Sequence, residues 1–203
     1  MKTETEKQFD YLISKIIFPH FKSIGYKKLG NNFRLFDSEN KFGKIVNFQK
    51  SSFYSKDHIH FTVNIGLYLS DFEYYHTKKY SADKFTEPIC AVRQRIGKLM
   101  NKSDIWYDLN LETNIEELQE RLEHNFLKRV IPYLNRIKTR EDIINQLLIE
   151  GSDYYIARIK TLYYSGHKER ALKILDQEYR RASKVGTEWL DNLKHELTEK
   201  SSP

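Results

Sequence analysis

One cysteine in 203 residues leaves Cys90 without an intramolecular disulfide partner. It also excludes a cysteine-based zinc knuckle and agrees with a reducing compartment. Flanked by Ile89, Ala91 and Val92, it reads as a small core residue rather than a nucleophile. No apolar run is long enough to cross a bilayer. The N-terminal MKTETEKQFD is charged where a signal peptide needs an uninterrupted apolar segment, so a cytoplasmic location with no membrane partner is expected. The eight glycines are scattered as turns and caps, and no nucleophile elbow, phosphate loop, zinc-protease helix or paired-acid motif is present. These absences weigh against an enzyme and give no reason to expect a cofactor.

What is present is enough for one core, or one core with a helical appendage: 39% of positions are hydrophobic and 31% charged. The charge is uneven. Residues 1–110 carry 18 Lys and Arg against 12 Asp and Glu, a net +6, whereas residues 111–203 carry 16 of each. An anionic partner, whether acidic protein, nucleic acid or phosphorylated ligand, would meet the N-terminal half.

The patterns favour an α+β fold. Phe9, Leu12, Ile13, Ile16 and Ile17, continued by Phe21 and Ile24, predict a helix over 5–24 that Pro19 kinks and Gly25 stops. YKKLGNN reads as a turn, FRLFDS as a first strand, ENKFG as a hairpin loop and KIVNFQKS as a second strand. His58 to Ser70 is the third, with Ile59, Phe61, Val63, Ile65, Leu67 and Leu69 alternating inward. A polar, aromatic loop (Asp71–Glu87) precedes ICAVRQRIGKL, a fourth strand with Val92 and Ile96 inward, and DIWYDLNL supplies a fifth. Thr113 with Glu116 forms a capping box for a long helix striped by Leu118, Leu122, Phe126, Val130, Tyr133 and Ile137 and bent at Pro132. The expected architecture is an antiparallel sheet of four to five strands packed with an N-terminal helix and a long helix.

From Thr139 the pattern is helical throughout. Thr139 with Asp142 starts one helix, and Ser152 starts another that ends near Gly166. A third runs from His167 toward Gly186, and Thr187 caps the last. The pair around Gly166 looks like a single tetratricopeptide-type hairpin, which without neighbours is no array. The chain therefore divides into an α+β unit, 1–137, and an all-helical extension, 138–203.

IGYKKLGNNFRLF, VNFQKS, FTVNIGLY, VRQRIGKL and IWYDL, in that order and spacing, resemble the bacterial family catalogued as domain of unknown function 4304, over about residues 5–135. The resemblance implies a small α+β domain and brings no activity that could be transferred.

The strand alternation nominates a site. Asn47 and Gln49 leave one side of the second strand, His60, Thr62 and Asn64 that side of the third, and Arg93 and Arg95 one side of the fourth. Amides and guanidinium groups on rigid strands suit a planar anion or a peptide backbone; an ordinary solvated or covered sheet face has the same composition. His58 and His60 project together and could share a metal. A third ligand is lacking, because Asp57, Asp71 and His76 have no spacing rule to recommend them, and no metal is expected. Tyr74 and Tyr75, within FEYYHTKKYSADKF, could contact a protein partner or stack bases. Two classes follow: a non-enzymatic protein-binding module, of the kind used as immunity proteins or accessory regulators, and a nucleic-acid or nucleotide-binding protein using the basic half.

Overall fold

The computed structural model describes residues 2–53, 55–182 and 187–199. Thr3 caps α1 (Glu4–Tyr11): its hydroxyl accepts from the Glu6 amide, and the Glu6 carboxylate accepts from the Thr3 amide. The helix passes through a π-helical segment (Leu12–Ile17) into α2 (Phe18–Lys22), with Pro19 in the first turn. Proline has no amide to donate and its ring crowds the carbonyl four residues back, so the widened π turn is where the expected kink is absorbed.

The strands follow as β1 (Lys27–Leu29), β2 (Asn32–Asp37), β3 (Phe42–Lys50) and β4 (His58–Leu69). After α3 (Ser70–Thr77) come β5 (Val92–Arg95), α4 (Ile96–Leu99) and β6 (Tyr107–Asn110). The order is β1-β2-β3-β4-β5, antiparallel throughout. β6 also pairs with β4, at His58–Phe61, whereas β5 pairs at Asn64–Leu67. Lying end to end along one edge of β4, β5 and β6 share one position, so the six strands make the expected sheet.

Three expectations need correction here. YKKLGNN is more than a turn, because Lys27–Leu29 pair with Asn32–Arg34 as β1. The segment from Asp71 opens with helix α3 rather than a loop, and Asp71 and Glu73 in its first turn complement the positive end of the helix dipole. ICAVRQRIGKL is strand only at Val92–Arg95; Ile96 starts α4, although both Val92 and Ile96 are buried as expected.

The long helix repeats the first helix's device: α5 (Ile115–Asn125), a π segment (Phe126–Val130) and α6 (Ile131–Arg136), with Pro132 opening the last. Its cap lies one residue later than expected. The Asn114 side chain accepts from the Glu117 amide, while the Thr113 hydroxyl is occupied by the Asn110 amide. The predicted stripe is buried from Leu118 to Ile137. The Thr139–Asp142 capping box opens α7 (Arg140–Glu150). α8 (Tyr155–Tyr164) begins three residues after Ser152, whose hydroxyl instead accepts from the Tyr154 amide. Gly166, at φ +92°, turns the chain into α9 (Lys168–Arg181). The expected stop at Gly186 lies outside the described residues, and α10 (Glu188–Glu199) follows Thr187.

Helices cover the inward sheet face, where the β4 residues Ile59 to Leu69 at odd numbers are at most 1% exposed. Phe9 meets Phe61 edge-on, and Phe48 stacks on Phe126 with ring centroids 5.5 Å apart. An inward lysine ties the second helical assembly to the sheet. Lys44 Nζ donates to the carbonyls of Leu134 (2.9 Å) and Ile137 (2.7 Å) at the end of α6, where the Leu134 carbonyl also accepts from the Ile137 amide. Burial draws the Lys44 pKa below its ordinary 10.5, against the pull of the Asp142 carboxylate.

Two predictions follow from this packing. Lys44→Met removes both hydrogen bonds and should cost about 1–3 kcal/mol, the penalty for taking the donor away from buried carbonyls. Folded Lys44 holds its proton less tightly than the unfolded chain does. The stability gap to the variant should therefore widen as pH rises from the depressed value toward 10.5; a flat gap in denaturant titrations would refute the assignment. One apolar cluster runs from Phe9 to Leu197, so the division at residue 137 is proposed as a boundary of stability. A fragment of residues 1–137 should keep a cooperative thermal transition at a lower midpoint. A soluble fragment with no transition would make the helical extension part of one indivisible core.

Candidate functional site

The outward sheet face has two halves. Toward the end of β4, Gly66 and Tyr68 with Ile45 of β3 lie under the loop that carries Phe85 and Cys90. Phe85 stacks on Tyr68 at 4.2 Å. A side chain at Gly66 would put its Cβ 2.5 Å from Cys90 Sγ, so glycine is what admits the cysteine. Two arginines hold the cover from opposite sides: Arg34 Nε of β2 donates to the Phe85 carbonyl (2.6 Å), and Arg93 of β5 grips Glu87 through Nε (2.9 Å) and Nη2 (3.2 Å). Burial pushes the Cys90 thiol well above its ordinary pKa, which makes it a poor nucleophile.

The other half is polar and partly covered: the buried Thr62 hydroxyl donates to the Ile105 carbonyl (2.7 Å), whereas Gln49 and Asp108 are exposed. Cross-strand register sets Asn32, Asn47, Asn64 and Arg95 side by side on four neighbouring strands. Asn47 Nδ2 donates to Asn32 Oδ1 (2.8 Å), and Asn64 Nδ2 donates to Gln49 Oε1 (2.7 Å) and Asn47 Oδ1 (3.3 Å). The amides are thus oriented by one another, with Asn64 buried and Gln49 exposed. At the end of the row Arg95 lies 5.5 Å over the Trp106 ring, and both donate to Asp104, the indole at 2.9 Å. Trp106 also meets the His60 ring at 4.8 Å.

Beside this cluster, His58 Nε2 and His60 Nδ1 each lie 2.9 Å from Oδ1 of Asp108. Asp108 stands opposite His60 on β6. Its burial raises the carboxyl pKa, but the hydrogen bonds and positive charge of the two histidines outweigh that and hold it below the ordinary value.

Of the nominated residues, Asn47, Gln49, His60, Asn64, Arg93 and Arg95 therefore share one face. Tyr74 and Tyr75 do not join them. They lie on α3, beyond the other end of β4, where Tyr74 stacks on Tyr80 and Tyr75 meets Tyr164 of α8. Arg93 serves the covering loop and Arg95 holds Asp104, so each arginine has a carboxylate within the chain. The third-ligand nominees are placed elsewhere as well: Asp71 pairs with Arg140 and His76 stacks on Tyr154, and Asp57 is absent from the histidine cluster. Trp106, Asp104 and Asp108 were missed. The alternation in DIWYDLNL put Trp106 and Asp108 on one side of a strand, but its register against β4 was needed to place them.

The family described as a domain of unknown function, DUF4304, matches residues 17–136. No curated protein and no solved structure matches the chain. Among the described residues, no helix is long and apolar enough to cross a membrane.

The two arginines should separate by their effect on Cys90. Arg93→Ala removes a charge-assisted pair that contributes about 1 kcal/mol after allowance for the exposure of the arginine. The cover should then open roughly fivefold more often, with matching faster labelling of the thiol under native conditions. Arg95→Ala should leave the labelling rate at the wild-type value. Equal rates for both variants would remove Arg93 from the role of clasp.

Proposed function

From the premise that the chain belongs to the DUF4304 family, which brings no activity with it, we propose that it is a non-enzymatic protein-binding module presenting the polar half of its outward sheet face. The observation that carries this reading is the Arg95–Trp106 stack at the end of the amide row. Tryptophan and arginine are the side chains that most often anchor protein interfaces, because each covers a large area while making directional contacts. The amide row beside them supplies donors and acceptors whose orientation is already fixed, which lowers the entropy lost on binding a peptide backbone or polar side chains.

The partner fits a mixed polar surface better than a strongly acidic one. Arg93 and Arg95 both face carboxylates of this chain, and Asp108 adds a further negative group. Nucleic acid, the alternative reading, calls for cations that reach phosphates, and this face offers few that are not already paired. A regulatory or immunity-type role is compatible with such a face and follows from no single residue in it.

The test begins with a partner captured by the full chain and then measured as a purified pair by calorimetry. Arg95→Ala and Trp106→Ala should each weaken binding by on the order of tenfold or more, with stability changed by less than about 1 kcal/mol, as for ordinary surface positions. Unchanged affinity in both variants would overturn the proposal. An affinity for nucleic acid that falls steeply with salt would favour the alternative.

A further inference from the structure

We propose that His58, His60 and Asp108 form a site for one divalent first-row transition ion, zinc being the ion the donor set suits best. The proposal rests on their placement and is independent of the protein-binding reading.

Two residues apart on β4, the histidines point to one side, and β6 brings the aspartate directly opposite His60. One ligand atom from each of His58, His60 and Asp108 lies within 4.8 Å of the other two, the one such group of three among the described residues. Two imidazoles and a carboxylate are a common zinc donor set, with further positions left to water. Each ring nitrogen is 2.9 Å from the carboxylate oxygen; atoms at that separation subtend roughly a right angle at an ion about 2.0–2.2 Å from each. The two ring nitrogens must approach to roughly 3.3 Å for a tetrahedral site. The side chains are about half exposed, at 53%, 40% and 56%, so ring rotation is not blocked by packing.

The strand pairing with β6 sets the backbone beneath them. His58 and His60 pair with β6 along one edge of β4; along the other the β3 ladder ends at Phe61, beyond which the Ser51 amide donates to the His60 carbonyl (2.7 Å) and the Ser55 hydroxyl accepts from the His58 amide (3.0 Å). On the far side Trp106 lies against His60. One carboxylate oxygen faces both ring nitrogens, each placed to donate a proton. Binding exchanges those hydrogens for the ion: a neutral ring moves its proton to its other nitrogen, and an imidazolium releases one to solvent. The carboxylate oxygen then turns from accepting two hydrogen bonds to ligating the ion. Sequence spacing alone offered no third ligand, since Asp108 follows His60 by a long stretch of chain and is near it only through strand pairing.

The experiment uses the full chain after dialysis against a chelator, titrated with zinc by calorimetry and with cobalt by visible absorbance. One ion per chain is expected, with Asp108→Ala and His58→Ala each weakening it by on the order of tenfold or more. Both positions are exposed, so circular dichroism and thermal midpoint should stay at wild-type values. A second readout needs no ligand variant: in a Trp189→Phe chain, cobalt should quench the remaining Trp106 fluorescence with the same saturation curve. Failure to saturate at one ion per chain up to millimolar metal would show a hydrogen-bonded trio that takes no ion. Affinity left unchanged by Asp108→Ala would reduce the site to chelation by two histidines, and binding without quenching would put the ion elsewhere; either result overturns the proposal. None of these readouts involves a protein partner, so they stand or fall apart from the function proposed above.

Discussion

The parity of β4 governs the molecule. Twelve residues of strand, hydrogen-bonded to β3 along one edge and to β5 and β6 along the other, send odd-numbered side chains into the core and even-numbered ones out. A slip of one residue would drive His58, His60 and Asn64 into an aromatic core and set Phe61 and Val63 in water, a change that no local adjustment could offset. Register is thereby fixed, and with it every relation on the outward face. The amide row, the arginine–indole stack and the histidine–aspartate group are each sets of side chains opposite one another across strands, so they inherit their geometry from the same ladder.

That face is used in two ways by one sheet. Where β4 carries Gly66 and Tyr68, a loop closes over it and forms a small second core around Cys90. Where β4 carries His58 to Asn64, polar side chains stand at the surface or just beneath it. Arg93 and Arg95 mark the boundary. They are two residues apart on one strand and point the same way, yet the first clasps the cover and the second rests on Trp106. Identical chemistry is given different work by what lies one row away.

Much of the fold was legible because it depends on local patterns. Alternation in β4, the stripe from Leu118 to Ile137 and the Thr139–Asp142 cap are written in short windows of sequence, and the disturbances at Pro19 and Pro132 follow from the proline ring itself. The shared side of Asn47, Gln49, His60, Asn64, Arg93 and Arg95 was legible for the same reason. The rest needed relations between distant segments. Nothing near Arg93 says that Glu87 folds back to meet it, and nothing near His60 points to Asp108. Lys44 is an intermediate case: it shares the parity of Val46 and Phe48, but its two carbonyl partners lie some ninety residues away at the end of α6. Tyr74 and Tyr75 were misplaced by composition, since a polar, aromatic stretch has the makings of a loop until helices from the chain's end pack against it.

The interruption between β5 and β6 has a consequence for self-association. By leaving the sheet through α4 and returning at Tyr107, the chain splits one border of the sheet into two strands of four residues each, and the opposite border ends in β1, three residues long with two lysines. Neither border offers the long, flat row of unpaired amides and carbonyls onto which a strand from another molecule could zip. Such a sheet is guarded against stacking edge to edge into fibrils.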